Sequence, residues 1–153
     1  MKIPIVFFPI LYSLKLKGTL FLCYMSAPFE FDSRLDTGFL DSLYEGDMDY
    51  AMRMFEFYVR IYPAKMEKCR EVMLSEGDTG KAGHIHGLSD FPVVGLKHLA
   101  NMRDTLQLLF RKGDTTTACQ QFPLLEKEFH RTFPLIEEEY NRLKDFVQQY
   151  SKR

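Results

Sequence analysis

Residues 48–75 read MDYAMRMFEFYVRIYPAKMEKCREVMLS, and within them Met52, Phe55, Val59, Tyr62, Met66, Cys69 and Met73 advance in steps of three and four. That spacing places the seven side chains on one stripe of a helix, whereas a strand would need alternation. Two more stripes follow. Leu99, Met102, Leu106 and Leu109 form one; Phe122, Leu125, Phe129, Phe133, Ile136, Tyr140, Leu143, Val147 and Tyr150 form the other. Helices with long apolar stripes bury them against each other, so the expected class is all-α, an up-and-down helical bundle.

The punctuation sets the expected boundaries. Asp36 and Thr37 can cap a short extra N-terminal helix running to about Tyr44, with Phe39, Leu40 and Leu43 on its apolar side. Glu45-Gly46-Asp47 ends it and caps the long helix at 48–75, in which Pro63 is an expected kink. Glu76-Gly77-Asp78 closes that helix and opens a glycine-rich third one. Because the residue before proline avoids the helical region, Pro92 makes Phe91 the expected last residue of the third helix. A fourth helix is expected over about 94–112, then Gly113-Asp114, then a final helix over about 115–150 with kinks at Pro123 and Pro134.

Composition excludes several classes. The 153 residues suffice for one domain with a sizeable core. With 20 basic and 21 acidic residues the net charge is -1, without the basic surplus that nucleic-acid binding uses. Cys23, Cys69 and Cys119 are odd in number and far apart, which indicates neither a disulfide framework nor a zinc module. Cys69 lies on the apolar stripe as a core thiol. The runs Glu126-Lys127-Glu128 and Glu137-Glu138-Glu139 read as solvated helix faces, and His98 and His130 as partly exposed helix residues.

Residues 1–28 stand apart as a leader, with 29–150 as the folded domain. Their apolar runs, Ile3 to Tyr12 and Thr19 to Met25, are split by Lys15 and Lys17 and fall short of the roughly 20 apolar residues of a membrane span, so no membrane association is expected. The charge-then-apolar order admits a targeting segment; the alternatives are a disordered leader and a start at Met25.

Between the second and fourth helices lies Gly83-His84-Ile85-His86-Gly87-Leu88-Ser89-Asp90, followed by an expected Val-Gly-Leu turn at Val94-Gly95-Leu96. With its order of helices, the chain from about Leu35 to Val147 resembles the histidine-containing phosphotransfer (HPt) family, four-helix-bundle carriers of phosphorelays. Their motif reads H-x-L-K-G, with a glycine some ten positions after the histidine. His86-Gly87-Leu88-Ser89-Asp90 occupies that place, and Gly95 follows nine positions after His86. In the family, the residue before the histidine and the one two after it face the core. For His86 these are the apolar Ile85 and Leu88; for His84 they are Gly83 and His86, which bury nothing. His86 is therefore the expected phosphoacceptor. Gly83, Gly87, Ser89 and Asp90 form the expected partner-docking surface.

The resemblance implies a cytoplasmic phosphocarrier, not an enzyme. It passes a phosphoryl group between receiver domains of response regulators or hybrid histidine kinases, and needs no cofactor and no metal of its own. The chain departs from the motif at Ser89, where the family has lysine, and at Asp90, where it has glycine. The missing residue between Leu88 and Gly95 and the weakness of Gly80, Gly83 and Gly87 in a helix suggest a shortened or distorted third helix. Asp90, four positions on from His86, would share a helix face with it and repel a phosphoryl group there. That departure supports an alternative, a phosphorylation-incompetent module that binds a receiver or kinase. A metal-binding bundle using His84 and His86 lacks the Glu-x-x-His pairs such sites place on facing helices.

Overall fold

A computed structural model describes residues 28–77 and 80–151; the leader through Ala27 lies outside the described residues. The described chain is all-helical: α1 Thr37–Tyr44, α2 Met48–Leu74, α3 Lys81–His86, a 3-10 turn at Phe91–Val94, α4 Lys97–Arg111 and α5 Thr115–Ser151. It contains no strand among those residues. None of its helices is long and apolar enough to cross a membrane.

Three helices, α1, α2 and α5, are capped by the aspartate that precedes them. Asp36 accepts from the Phe39 amide at 3.3 Å, Asp47 from Tyr50 at 2.9 Å and Asp114 from Thr117 at 3.1 Å, satisfying amides that the first turn leaves without carbonyl partners. Helices α2 and α5 run unbroken through Pro63 and through Pro123 and Pro134. The expected kinks thus do not divide either helix, because their apolar faces stay packed on either side of each proline.

Helix α5 is the spine, packing along α2 and α4, while α3 rests on α2 and α4 together. The core between them contains Phe55, Tyr62, Met66, Cys69, Leu99, Leu125, Phe129, Ile136 and Leu143, all buried as their stripes require. Tyr58, outside the stripe, is equally buried, its ring stacked 4.0 Å from that of Tyr62. On α1 the buried pair is Leu40 and Tyr44, whereas Phe39 and Leu43 are exposed, so the inward face of this helix is turned from the expected one.

Two further boundaries differ from expectation. Helix α3 stops at His86 instead of continuing to Phe91, and α4 starts at Lys97, because Phe91, Val94 and Leu96 are drawn into the core by the intervening 3-10 turn. Gly95 closes that turn with φ +75° and accepts from the Asp36 amide at 2.9 Å. A Cβ there would stand 2.9 Å from both Leu35 Cβ and Leu40 Cδ1, so the absence of a side chain is what lets α1 seat against the turn.

The start of α3 is fixed by a buried cation. Lys81 is 6% exposed and donates to the Ser75 carbonyl at 3.0 Å, with Cys119 Sγ at 3.8 Å. This satisfies a carbonyl that the end of α2 leaves open.

Glu139 corrects the reading of 137–139 as a wholly solvated run. It is buried, accepts from the Asp32 amide at 3.0 Å and pairs with Arg142, which donates to the Glu30 carbonyl at 2.9 Å. The segment before α1 is thereby clasped to α5. Burial pushes the Glu139 carboxyl above its usual range, against the opposing pull of the Asp32 amide and Arg142. Two other carboxyls move the opposite way. A hydrogen bond from Arg131 holds Glu128 down to about 2, with His98 at 2.9 Å assisting, and Arg34 holds Asp32 well below the carboxylate range.

A group with a depressed folded-state pKa contributes stability above its unfolded value and loses it as pH falls toward the folded one. Stability is therefore expected to drop between about pH 4.5 and 2 as Glu128 protonates. Glu139 acts the other way and at higher pH, since acid relieves the cost of its buried charge as pH falls from its raised folded value toward about 4.5. Urea unfolding across this range checks the sign, and Glu128→Gln should flatten the curve.

Candidate functional site

Helix α3 has six residues, and its pattern of burial alternates sharply at the end. Ile85 and Leu88 are 0% and 1% exposed, anchoring the segment in the core, while His86 between them faces solvent and His84 is half-buried. Gly87 donates to the Gly83 carbonyl at 2.9 Å and Leu88 to Ile85 at 3.1 Å, which closes the helix directly behind the exposed imidazole.

The flanking glycines are not demanded by the fold. A Cβ on Gly83 would meet nothing within 4 Å, and one on Gly87 only ordinary contacts at 3.4 and 3.6 Å. Neither has a positive φ. Their effect is a surface without side-chain bulk on both sides of His86. Ser89 is exposed beside them, its hydroxyl 3.2 Å from Asp90 Oδ1.

Asp90 is placed differently from the shared-face expectation. The helix has ended, so the i+4 relation to His86 no longer holds, and Asp90 is held by α2 instead. Its amide donates to the Tyr62 hydroxyl at 2.6 Å, and its carboxylate lies 3.2 Å from Lys65 Nζ. Lys65 also donates to the Gly87 carbonyl at 3.3 Å and sits 5.0 Å from the Tyr62 ring centroid. A cation from α2 thus stands at the residue next to His86, which the local sequence of α3 did not signal.

Tyr62 is the buried post of this arrangement. Loss of water pushes its phenol upward, with the hydrogen bond from Asp90 working against that. Tyr58 stacks on it, yet its own buried hydroxyl has no hydrogen-bond partner among the described residues. The two phenols should respond oppositely to removal. Tyr62→Phe strands the Asp90 amide and is expected to cost about 1–2 kcal/mol, whereas Tyr58→Phe removes an unsatisfied group and should be neutral or stabilising by about 1 kcal/mol. Urea unfolding of the two variants measures both.

His86 stands on open surface. The clefts lined by Met102, Leu106 and Leu125, by Phe29, Arg142 and Phe146, by Phe39, Pro92 and Gly95, and by Arg34, His98 and Arg131 all lie elsewhere. Among the described residues no three His, Cys, Asp or Glu side chains gather as a metal site would require. His98 is exposed and paired to Glu128 across α4 and α5; His130 is exposed on α5. Compared with known proteins, the chain matches no protein-family model, no curated protein and no solved structure.

Proposed function

We propose that this protein is a phosphorelay intermediate of the HPt kind, with α2, α3, α4 and α5 as its four-helix bundle and His86 as the residue that carries the phosphoryl group. The observation that carries the reading is the alternation at the end of α3: buried Ile85 and Leu88 turn an exposed imidazole outward between two bare glycines. A receiver domain of a response regulator or hybrid kinase must bring a phosphoaspartate, recessed in its own active site, within bonding distance of a ring nitrogen. A low, glycine-flanked surface permits that approach where bulkier side chains would block it.

In the transfer, the lone pair of the neutral ring nitrogen forms the N–P bond as the P–O bond to the receiver's aspartate breaks, its electron pair returning to the carboxylate. The proton on the other ring nitrogen stays in place, so the step needs no base from this chain. The metal that shields the phosphoaspartate belongs to the receiver. The partner would dock over Gly83, Gly87, Ser89 and Asp90, extending toward Phe57 and Ile61, two exposed apolar side chains spaced four apart on α2.

The test is incubation of the full chain with phosphorylated receiver domains, followed by assay for acid-labile, base-stable label. Tight binding of a receiver with no uptake of label would instead support the non-phosphorylated interaction module, which the Ser89 and Asp90 departures favour.

A further inference from the structure

We infer that Lys65 is the counter-cation for the phosphoryl group on His86, held in reserve by Asp90 until that group arrives; the inference rests on His86 being the acceptor. When a receiver departs, its metal departs with it. A phosphorylated histidine left on this chain then carries roughly two negative charges with no ion to balance them. The position three after His86, where a cation on the same helix would serve, is Ser89. The cation comes instead from α2. Lys65 Nζ lies 3.3 Å from the carbonyl of Gly87, the residue bonded to His86, at the end of a long flexible stem.

Its present contacts suit a movable charge. The Lys65 and Asp90 side chains are 34% and 32% exposed, too wet for their ion pair to be strong. The ammonium has three protons, and its contacts with the Gly87 carbonyl and Asp90 occupy two of them. A phosphoryl oxygen can take the third, or displace Asp90, since a dianion outcompetes a single carboxylate at equal distance. Asp90 in turn remains tied to α2 through the hydrogen bond from its backbone amide to Tyr62, so losing the ion pair does not release the loop. The face toward Phe57, over whose ring Lys65 Nζ lies at 5.8 Å, would be covered by a docked partner, and exclusion of water there strengthens the ammonium's pull.

The test removes the receiver altogether. The full chain is treated with phosphoramidate, from which the P–N bond breaks with loss of ammonia as the N–P bond to His86 forms, and phosphohistidine is followed by phosphorus NMR through uptake and decay. Lys65→Met, with thermal unfolding matching the wild type, is expected to slow uptake or shorten the lifetime of the adduct about tenfold. Lys65→Arg should restore most of the loss, and Asp90→Asn, which frees the ammonium, should raise uptake about two- to threefold. A folded Lys65→Met protein that takes up and holds phosphate as the wild type does overturns the inference while leaving His86 as the acceptor. Absence of label on wild-type His86 overturns both. Labelling by phosphoramidate with the expected Lys65 effects, but by no receiver, upholds Lys65 and removes only the receiver as donor.

Discussion

Gly95→Ala is expected to destabilise the protein by about 3 kcal/mol and to lower its thermal midpoint by roughly 10 °C, the largest effect among alanine substitutions of the described glycines. Two costs add. With φ at +75°, any L-residue strains the backbone, and the new Cβ would press within 2.9 Å of Leu35 and Leu40, which are buried and cannot swing away. Gly113 supplies the control. Its φ is +76°, yet nothing lies within 4 Å of the position a Cβ would take, so Gly113→Ala should cost only the conformational part, about 1 kcal/mol. Equal costs for the two variants would show that the contact of α1 with the 3-10 turn is looser than described.

His86→Gln is expected to abolish phosphate uptake, while His84→Gln leaves most of it. Glutamine keeps a polar side chain of similar reach but has no nitrogen lone pair able to attack phosphorus. Because His86 is exposed, its loss should leave the unfolding curve unchanged, which separates a chemical effect from a structural one. His84, half-buried, is the position where a stability change is more readily expected. Uptake that persists in His86→Gln and vanishes in His84→Gln would transfer the acceptor role to His84.

The three apolar stripes and the acidic caps were legible because each follows from local spacing: three- and four-residue steps leave little choice about which face of α2 or α5 is buried. Where the sequence misled, two elements competed for the same residues. Phe91 read as the end of the third helix and Val94 as both the start of the fourth and part of a Val-Gly-Leu turn; the turn prevails, because Phe91, Val94 and Leu96 are all pulled inward by the core, which a short 3-10 turn allows and a continuous helix does not. Glu139 carried a signal that its charge concealed. It lies three after Ile136 and four before Leu143, on the buried stripe, and its partner, the Asp32 amide, is remote in sequence. Tyr58 lies beside the α2 stripe, three after Phe55 and four before Tyr62; the stripe is widened there because α2 meets α5, α3 and the 3-10 turn together.

For the candidate site, the placement of Ile85, Leu88 and the glycines around His86 was readable from helix geometry. The cation beside it was not. Lys65 precedes His86 by twenty-one residues on another helix, and only the packing of α3 on α2 makes them neighbours.

The buried Lys81 ammonium bears on how this segment can vary. It joins the first residue of α3 to the Ser75 carbonyl at the end of α2, across a span of six positions in the chain. An orientation that a connecting loop would otherwise set by its length and stiffness alone is held here by a side-chain bond as well. Gly77 and Gly80, with φ of +85° and +87°, lie within that span, and a side chain at either would strain the backbone there. A shorter side chain at Lys81 could not reach the Ser75 carbonyl and would leave the start of α3 without that tie to α2.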